Sequence, residues 1–202
     1  MTSSWDDYFR DIYPKLGARG NTFKQIFNYL DVFKDPYIVE TGTYREENNY
    51  TGDGCSTLLF DKYLTHRNEG ALISVDIDPV ACKLAGKSVT YPGSWIACSD
   101  SVEFLGEQSS DMKGIALLYL DSYNITDWNN DWAPAAHHLK ELFAAKNLIA
   151  PGTLIVVDDN IKTPDGRRLG KGRLIYELMD ALGIEPLFDE YQIGWIWSED
   201  YE

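Results

Sequence analysis

Short apolar runs alternate with helical stretches along most of this chain, and the alternation changes character only at the end. Residues 37–40, 71–77, 94–98, 115–120 and 153–157 read as strands, several of them apolar almost throughout. Between them, residues 55–64, 79–87, 102–105, 134–146 and 174–182 carry helical periodicity, and Pro79 opens its helix at a position where proline is tolerated. Near-continuous apolar strands separated by helices predict a parallel sheet covered on both faces. The last two strands, 186–188 and 192–197, are joined by a turn around Asp189 and Glu190 that is too short for a crossover, so they must pair antiparallel. The expected fold is therefore α/β: a doubly wound, mostly parallel sheet ending in an antiparallel β-hairpin. Ahead of it, residues 1–35 form N-terminal helices, with Phe23, Ile26, Phe27, Leu30 and Phe33 on one stripe. The whole is expected to make one domain, 1–35 helical and 36–202 the core.

The bulk properties fit that reading. The chain has 202 residues, 44% hydrophobic and 25% charged, enough to bury a full core. The longest apolar run, 115–120, is far too short for a bilayer, and the opening MTSSWDDYFRDIY shows no targeting pattern, so a cytoplasmic protein off the membrane is expected. A formal charge of −14 argues against nucleic acid as a partner. Cys55, Cys82 and Cys98 lack zinc or disulfide spacing and are expected to be reduced and mostly buried. The sequence leaves a homo-oligomer open.

In an open α/β sheet, ligands bind beyond the carboxyl ends of the strands. The first strand ends at Glu40, Thr41 and Gly42, and Gly54, Cys55, Ser56 and Thr57 then open a helix. Glycine there lets the backbone approach a ligand, and the helix start offers free N–H donors, although both glycines could simply make turns. Asp76 ends the second strand, where a carboxylate can accept from two ribose hydroxyls, and Asp78 is better read as a helix cap. Asp100 and Ser101 follow the third strand, in place either to contact an adenine or to cap a helix. Asp121 ends the fourth strand and Asp158, Asp159 and Asn160 end the fifth. Like charges so close repel; a hard divalent cation such as Mg²⁺ would resolve the conflict, and the alternative is a set of loop-capping carboxylates. His137 and His138 start a helix on the same side and are candidates for a general base, or for helix surface. Trp128 and Trp132 could wall an acceptor or pack the loop. Residues 170–173, Gly-Lys-Gly-Arg, read as a flexible basic loop near the site. The longest irregular stretches are 44–53, 123–133 and 161–171, and loops this long in a compact domain are often functional.

Taken together, Glu40 with Gly42, the Gly54–Thr57 helix start, Val75-Asp76-Ile77-Asp78, Leu120-Asp121 and the terminal hairpin resemble the class I S-adenosylmethionine-dependent methyltransferases. The likeness spans roughly residues 36–197 and is strongest to small-molecule O-methyltransferases of the macrocin and catechol type. It implies a Rossmann-like methyltransferase fold and an S-adenosyl-L-methionine pocket. Glu40 and Gly42 would line the methionine end, Gly54, Ser56 and Thr57 would also bind the cofactor, Asp76 would hold the ribose, and Asp100 with Ser101 would flank the adenine. Asp121 would face both cofactor and metal, and Asp121, Asp159 and Asn160 would hold the divalent cation. Two departures stand out: the first loop is expanded over residues 44–51, and Asn124 occupies the position where the catechol type has a lysine and the macrocin type a histidine.

The leading expectation is metal-assisted methyl transfer from S-adenosylmethionine to an oxygen of a small-molecule acceptor. A nicotinamide-dependent oxidoreductase ranks lower, because the first loop lacks GxGxxG and the terminal hairpin fits that fold poorly. A third reading is a protein that binds the cofactor without turnover.

Overall fold

The computed structural model describes residues 4–52, 55–108, 114–128 and 130–198. Seven strands form one sheet: β1 (Tyr37–Thr41), β2 (Ala71–Asp76), β3 (Ser94–Cys98), β4 (Leu117–Leu120), β5 (Leu154–Val157), β8 (Phe188–Asp189) and β9 (Ile193–Ile196). Their order is β3-β2-β1-β4-β5-β9-β8. The first five run parallel, and β9 pairs antiparallel with both β5 and β8. The expected parallel sheet with a terminal hairpin is thus present. Strand order reverses between β1 and β4, the crevice where such sheets take ligands.

Helices cover both faces: α1 (Trp5–Ile12), α2 (Gly20–Leu30) and α3 (Ser56–Arg67) on one, and α5 (Ser101–Glu107), α6 (Trp132–Ala144) and α7 (Arg173–Ala181) on the other; α4 (Pro79–Ser88) packs beside β3. The period of two in the strands decides which residue meets which layer. Leu117, Tyr119, Leu154 and Val156 point toward α2 and α3, where Phe23 and Phe27 each pack edge to face on Phe60 and Tyr63 packs tilted on Phe27. Leu118, Leu120, Ile155, Val157 and Trp195 point into the other core, with Leu142, Ile175 and Met179. Every residue of β4 and β5 is buried, which explains the unbroken apolar runs.

Two expectations need correcting. Residues 161–171 are not irregular: β6 (Asn160–Lys162) and β7 (Arg168–Gly170) form a separate antiparallel hairpin after β5. Three-residue strands are too short to show a period. The cysteines are all free, but only Cys55 is buried; Cys82 is partly buried and Cys98 exposed. No helix among the described residues is long and apolar enough to cross a membrane.

Candidate functional site

Two adjoining cavities open at the carboxyl ends of the strands. The first, of about 480 Å³, is lined by Gly42 after β1, Ser56 at the start of α3, Asp76 at the end of β2, Asp100 and Ser101 after β3, Asp121 after β4, and His137 on α6. Gly42 makes the first wall possible: its φ is +80°, and a Cβ there would come within 2.5 Å of the Asp121 carbonyl oxygen. The Gly42 amide donates to the Val75 carbonyl at 2.8 Å, so β1 and β2 stay in register up to the cavity.

Asp76 is held by two backbone donors: the Thr43 amide to Oδ2 at 3.0 Å and the Asp78 amide to Oδ1 at 2.8 Å. Its remaining lone pairs are available to hydroxyls in the cavity. Asp78 caps α4 through the Val80 amide, as expected. Asp100 does both jobs considered for it, capping α5 through the Glu103 amide and lining the cavity. Gly54 lies outside the described residues. Glu40 and Thr57 are not at the cavity wall but behind it: Thr57 donates to Glu40 Oε2 at 2.6 Å and accepts from the Tyr44 amide at 3.0 Å, stitching the first loop to α3. Burial pushes the Glu40 carboxyl up to about 7.

The two histidines separate. His137 faces the first cavity, with Nε2 3.1 Å from Ser101 Oγ and 3.3 Å from Glu141 Oε1; its hydrogen bond to Glu141 raises its pKa. His138 does not reach either cavity: it is fully buried, with Nδ1 2.7 Å from the Pro134 carbonyl, and burial drops its pKa to about 4. Glu141, which the sequence did not single out, is the hub between them. Burial alone would raise its pKa, but His138, His137 and the hydroxyls of Ser101 and Ser122 outweigh that and hold it at about 2.

The second cavity, of about 380 Å³, shares Asp121, Asn124 and Arg45 with the first and adds Arg19, Trp128, Asp159 and Lys171. Trp132 lies outside it, with the Arg173 guanidinium stacked 3.8 Å over its ring. Here the carboxylates do converge, but protein cations already occupy the space between them. Lys171 Nζ is 2.5 Å from Asp121 Oδ1 and 2.9 Å from Asp159 Oδ2. Arg19 Nε sits 2.7 Å from Asp158 Oδ2, and its NH2 3.3 Å from Asp159 Oδ1. Asn160 is turned away: Asp159 has a left-handed φ of +49°, β6 begins at the next residue, and the Asn160 amide donates to Asp189 Oδ1 and to the Glu190 carbonyl. The expected ligand set of Asp121, Asp159 and Asn160 therefore does not fit a divalent ion, and among the described residues no group of three or more His, Cys, Asp or Glu is arranged to hold one.

Lys171 is also not the flexible basic residue its surroundings suggested. It is 2% exposed. Asp131 accepts from the Gly170 amide at 2.5 Å and from Arg173 at 3.0 Å, and the Lys171 amide donates to the Asp159 carbonyl, so the segment is clamped on three sides. Neither Lys171 nor Arg19 carries a local signal of its role; Asp121 lies 50 residues from Lys171 and Asp158 lies 139 from Arg19.

No protein-family model matches the chain, and no curated protein matches it in sequence. Solved structures do. The MycE methyltransferase from the mycinamycin biosynthetic pathway, in complex with Mg and SAH, is similar with a TM-score of 0.60 at 14% identity, covering 91% of this chain and 50% of that one. The calicheamicin methyltransferase CalS11 is similar with a TM-score of 0.58 at 13% identity, over 88% of this chain and 78% of that one. NSun6 from Pyrococcus horikoshii, in complex with SFG, gives 0.54 at 13% identity, over 81% and 41%. The likeness is one of fold, and the chain spans about half the length of MycE.

Proposed function

We propose that this chain, whose sheet order and terminal hairpin are those of the Rossmann-like methyltransferase fold, is an S-adenosylmethionine-dependent methyltransferase acting on a hydroxyl of a small molecule. The observation that carries the reading is the lining of the first cavity: Gly42, Asp76, Asp100 and Ser101 end successive strands around one space. Asp76 would accept from the ribose hydroxyls, the glycine at 42 leaves room for the methionine end, and Asp100 with Ser101 would border the adenine. When bound, the cofactor supplies an electrophilic methyl group.

The acceptor is assigned to the second cavity, which meets the first at Asp121. Trp128 offers it an apolar wall, and the cavity position fixes the direction of approach. Asp121 lines both spaces. Burial, with Asp158 and Asp159 close by, raises its carboxyl pKa against the pull of Lys171 and Arg19. Lining both cavities, it is of the three carboxylates the one placed to take a proton leaving an acceptor hydroxyl. His137 borders the cofactor space and orients Ser101.

Calorimetry with S-adenosylhomocysteine tests the cofactor assignment. Saturable binding is expected, weakened about a hundredfold or more in Asp76→Ala, which loses two hydrogen bonds to a charged acceptor, about 1.5–3 kcal/mol each. Wild-type affinity in that variant would remove the ribose role from Asp76.

A further inference from the structure

The strand-end carboxylates are where the sequence places a divalent cation, and they are already neutralised from within the chain. Lys171 Nζ reaches Asp121 Oδ1, Asp159 Oδ2 and, at 3.3 Å, the Asp121 carbonyl, so each of its three N–H groups has an oxygen. Burial alone would strip a proton from an ammonium so enclosed; Asp121, Asp159 and Asp158 outweigh it and raise the Lys171 pKa. Arg19 covers Asp158 with its Nε and the backbone of Thr51 with its NH1. An incoming ion would have to displace the ammonium and leave it buried without a counter-charge, which is strongly unfavourable. It would also lack Asn160, whose amide ties β6 to the turn before β9.

We propose that Lys171 is the resident cation of this site, standing in the place of a divalent ion, and that chemistry in the second cavity proceeds without a metal. Its ammonium holds the Asp121 and Asp159 carboxylates in one fixed arrangement at the junction of the two cavities and supplies the positive charge there. The ammonium is positioned by rigid elements: β7 ends at Gly170, α7 starts at Arg173, and Asp131 pins both to the head of α6. Lys171 is in this sense a positioning residue for Asp121. The ion pairing makes the substitution specific. Three carboxylates, Asp121, Asp158 and Asp159, are ion-paired with Lys171 and Arg19, and Arg45 lines the same cavity. Removing the lysine leaves the Asp121 and Asp159 carboxylates around a space the size of an ammonium, the setting that a small divalent ion meets.

The ion-binding arm of the test is independent of the methyl-transfer reading; only the activity arm rests on it. Mn²⁺ binding is followed by electron paramagnetic resonance and by thermal shift with Mg²⁺ against EDTA. The wild type is expected to bind no ion at the site and to melt at the same temperature in both. Lys171→Met is expected to gain a saturable Mn²⁺ signal that the wild type lacks, and to recover stability in Mg²⁺. Lys171→Arg keeps a cation in place and should stay blind to the ion. Where methyl transfer is detected, EDTA should leave it unchanged in the wild type. Mn²⁺ binding by the wild type that Asp121→Asn abolishes would overturn the proposal, as would a folded Lys171→Met that ignores the ion. If Lys171→Met does not fold, the wild type and Lys171→Arg decide the matter. Absence of any methyl transfer, with the ion results as expected, would count against the proposed function alone.

Discussion

At the scale of single residues, the side chains that end strands were readable and the side chains that answer them were not. Gly42, Asp76, Asp100, Ser101 and Asp121 sit at positions that the alternation of strands and helices already marks, and they do line one cavity. Glu141 illustrates the opposite case. It lies within a helix whose pattern suggests only packing, yet it gathers Ser101, Ser122, His137 and Thr41 around a buried carboxylate. Only the fold brings those donors together. Because its folded pKa of about 2 lies below the ordinary 4.5, its contribution is fully present above pH 4.5 and is lost as pH falls toward 2. That difference corresponds to about 3 kcal/mol. Denaturant melts from pH 7 to pH 3 should therefore show Glu141→Gln less stable than the wild type at neutral pH, with the gap narrowing in acid. A gap that stays constant with pH would mean that packing, rather than charge, is what the substitution removes.

At the scale of elements, the parallel strands and their helices were legible because each is long enough to display its period. The β6–β7 hairpin is not legible, because three-residue strands show no period, and Asn160, which the apolar pattern puts at the end of the fifth strand, is the first residue of a new one. Gly170, at the end of that hairpin, has φ +98° and leaves no room for a Cβ beside the Asp159 carbonyl. Gly170→Ala should cost about 2 kcal/mol or more, since the strained backbone and the clash add. Thermal melts would register it, and the perturbation should also loosen the adjacent Lys171 contacts. An unchanged melting temperature would show that the hairpin can re-form with a different turn.

For the molecule as a whole, the layer of N-terminal helices is part of the site and not merely a cover. Trp5, Phe9, Phe27 and Tyr63 pack these helices onto α3. From just ahead of α2, Arg19 reaches across to Asp158 and stacks 4.5 Å over the Tyr191 ring, which itself donates to Asp159. Arg19→Met would leave Asp158 buried without its partner, at a cost of about 3–5 kcal/mol. A denaturation midpoint within error of the wild type would show that the Tyr119 hydroxyl and the Asp159 amide, the other donors to Asp158, suffice. The same cross-chain reach has a bearing on synthesis. A ribosome delivers Arg19 long before the carboxylates at 158 and 159, and Tyr191 later still. Until residues 158–171 are out, the guanidinium lacks its counter-charges Asp158 and Asp159, and the second cavity lacks Asp159 and Lys171 from its lining. Synthesis order thus makes the acceptor cavity a late product: a nascent chain can assemble the cofactor-side strands first and become competent for an acceptor only when its latest residues arrive.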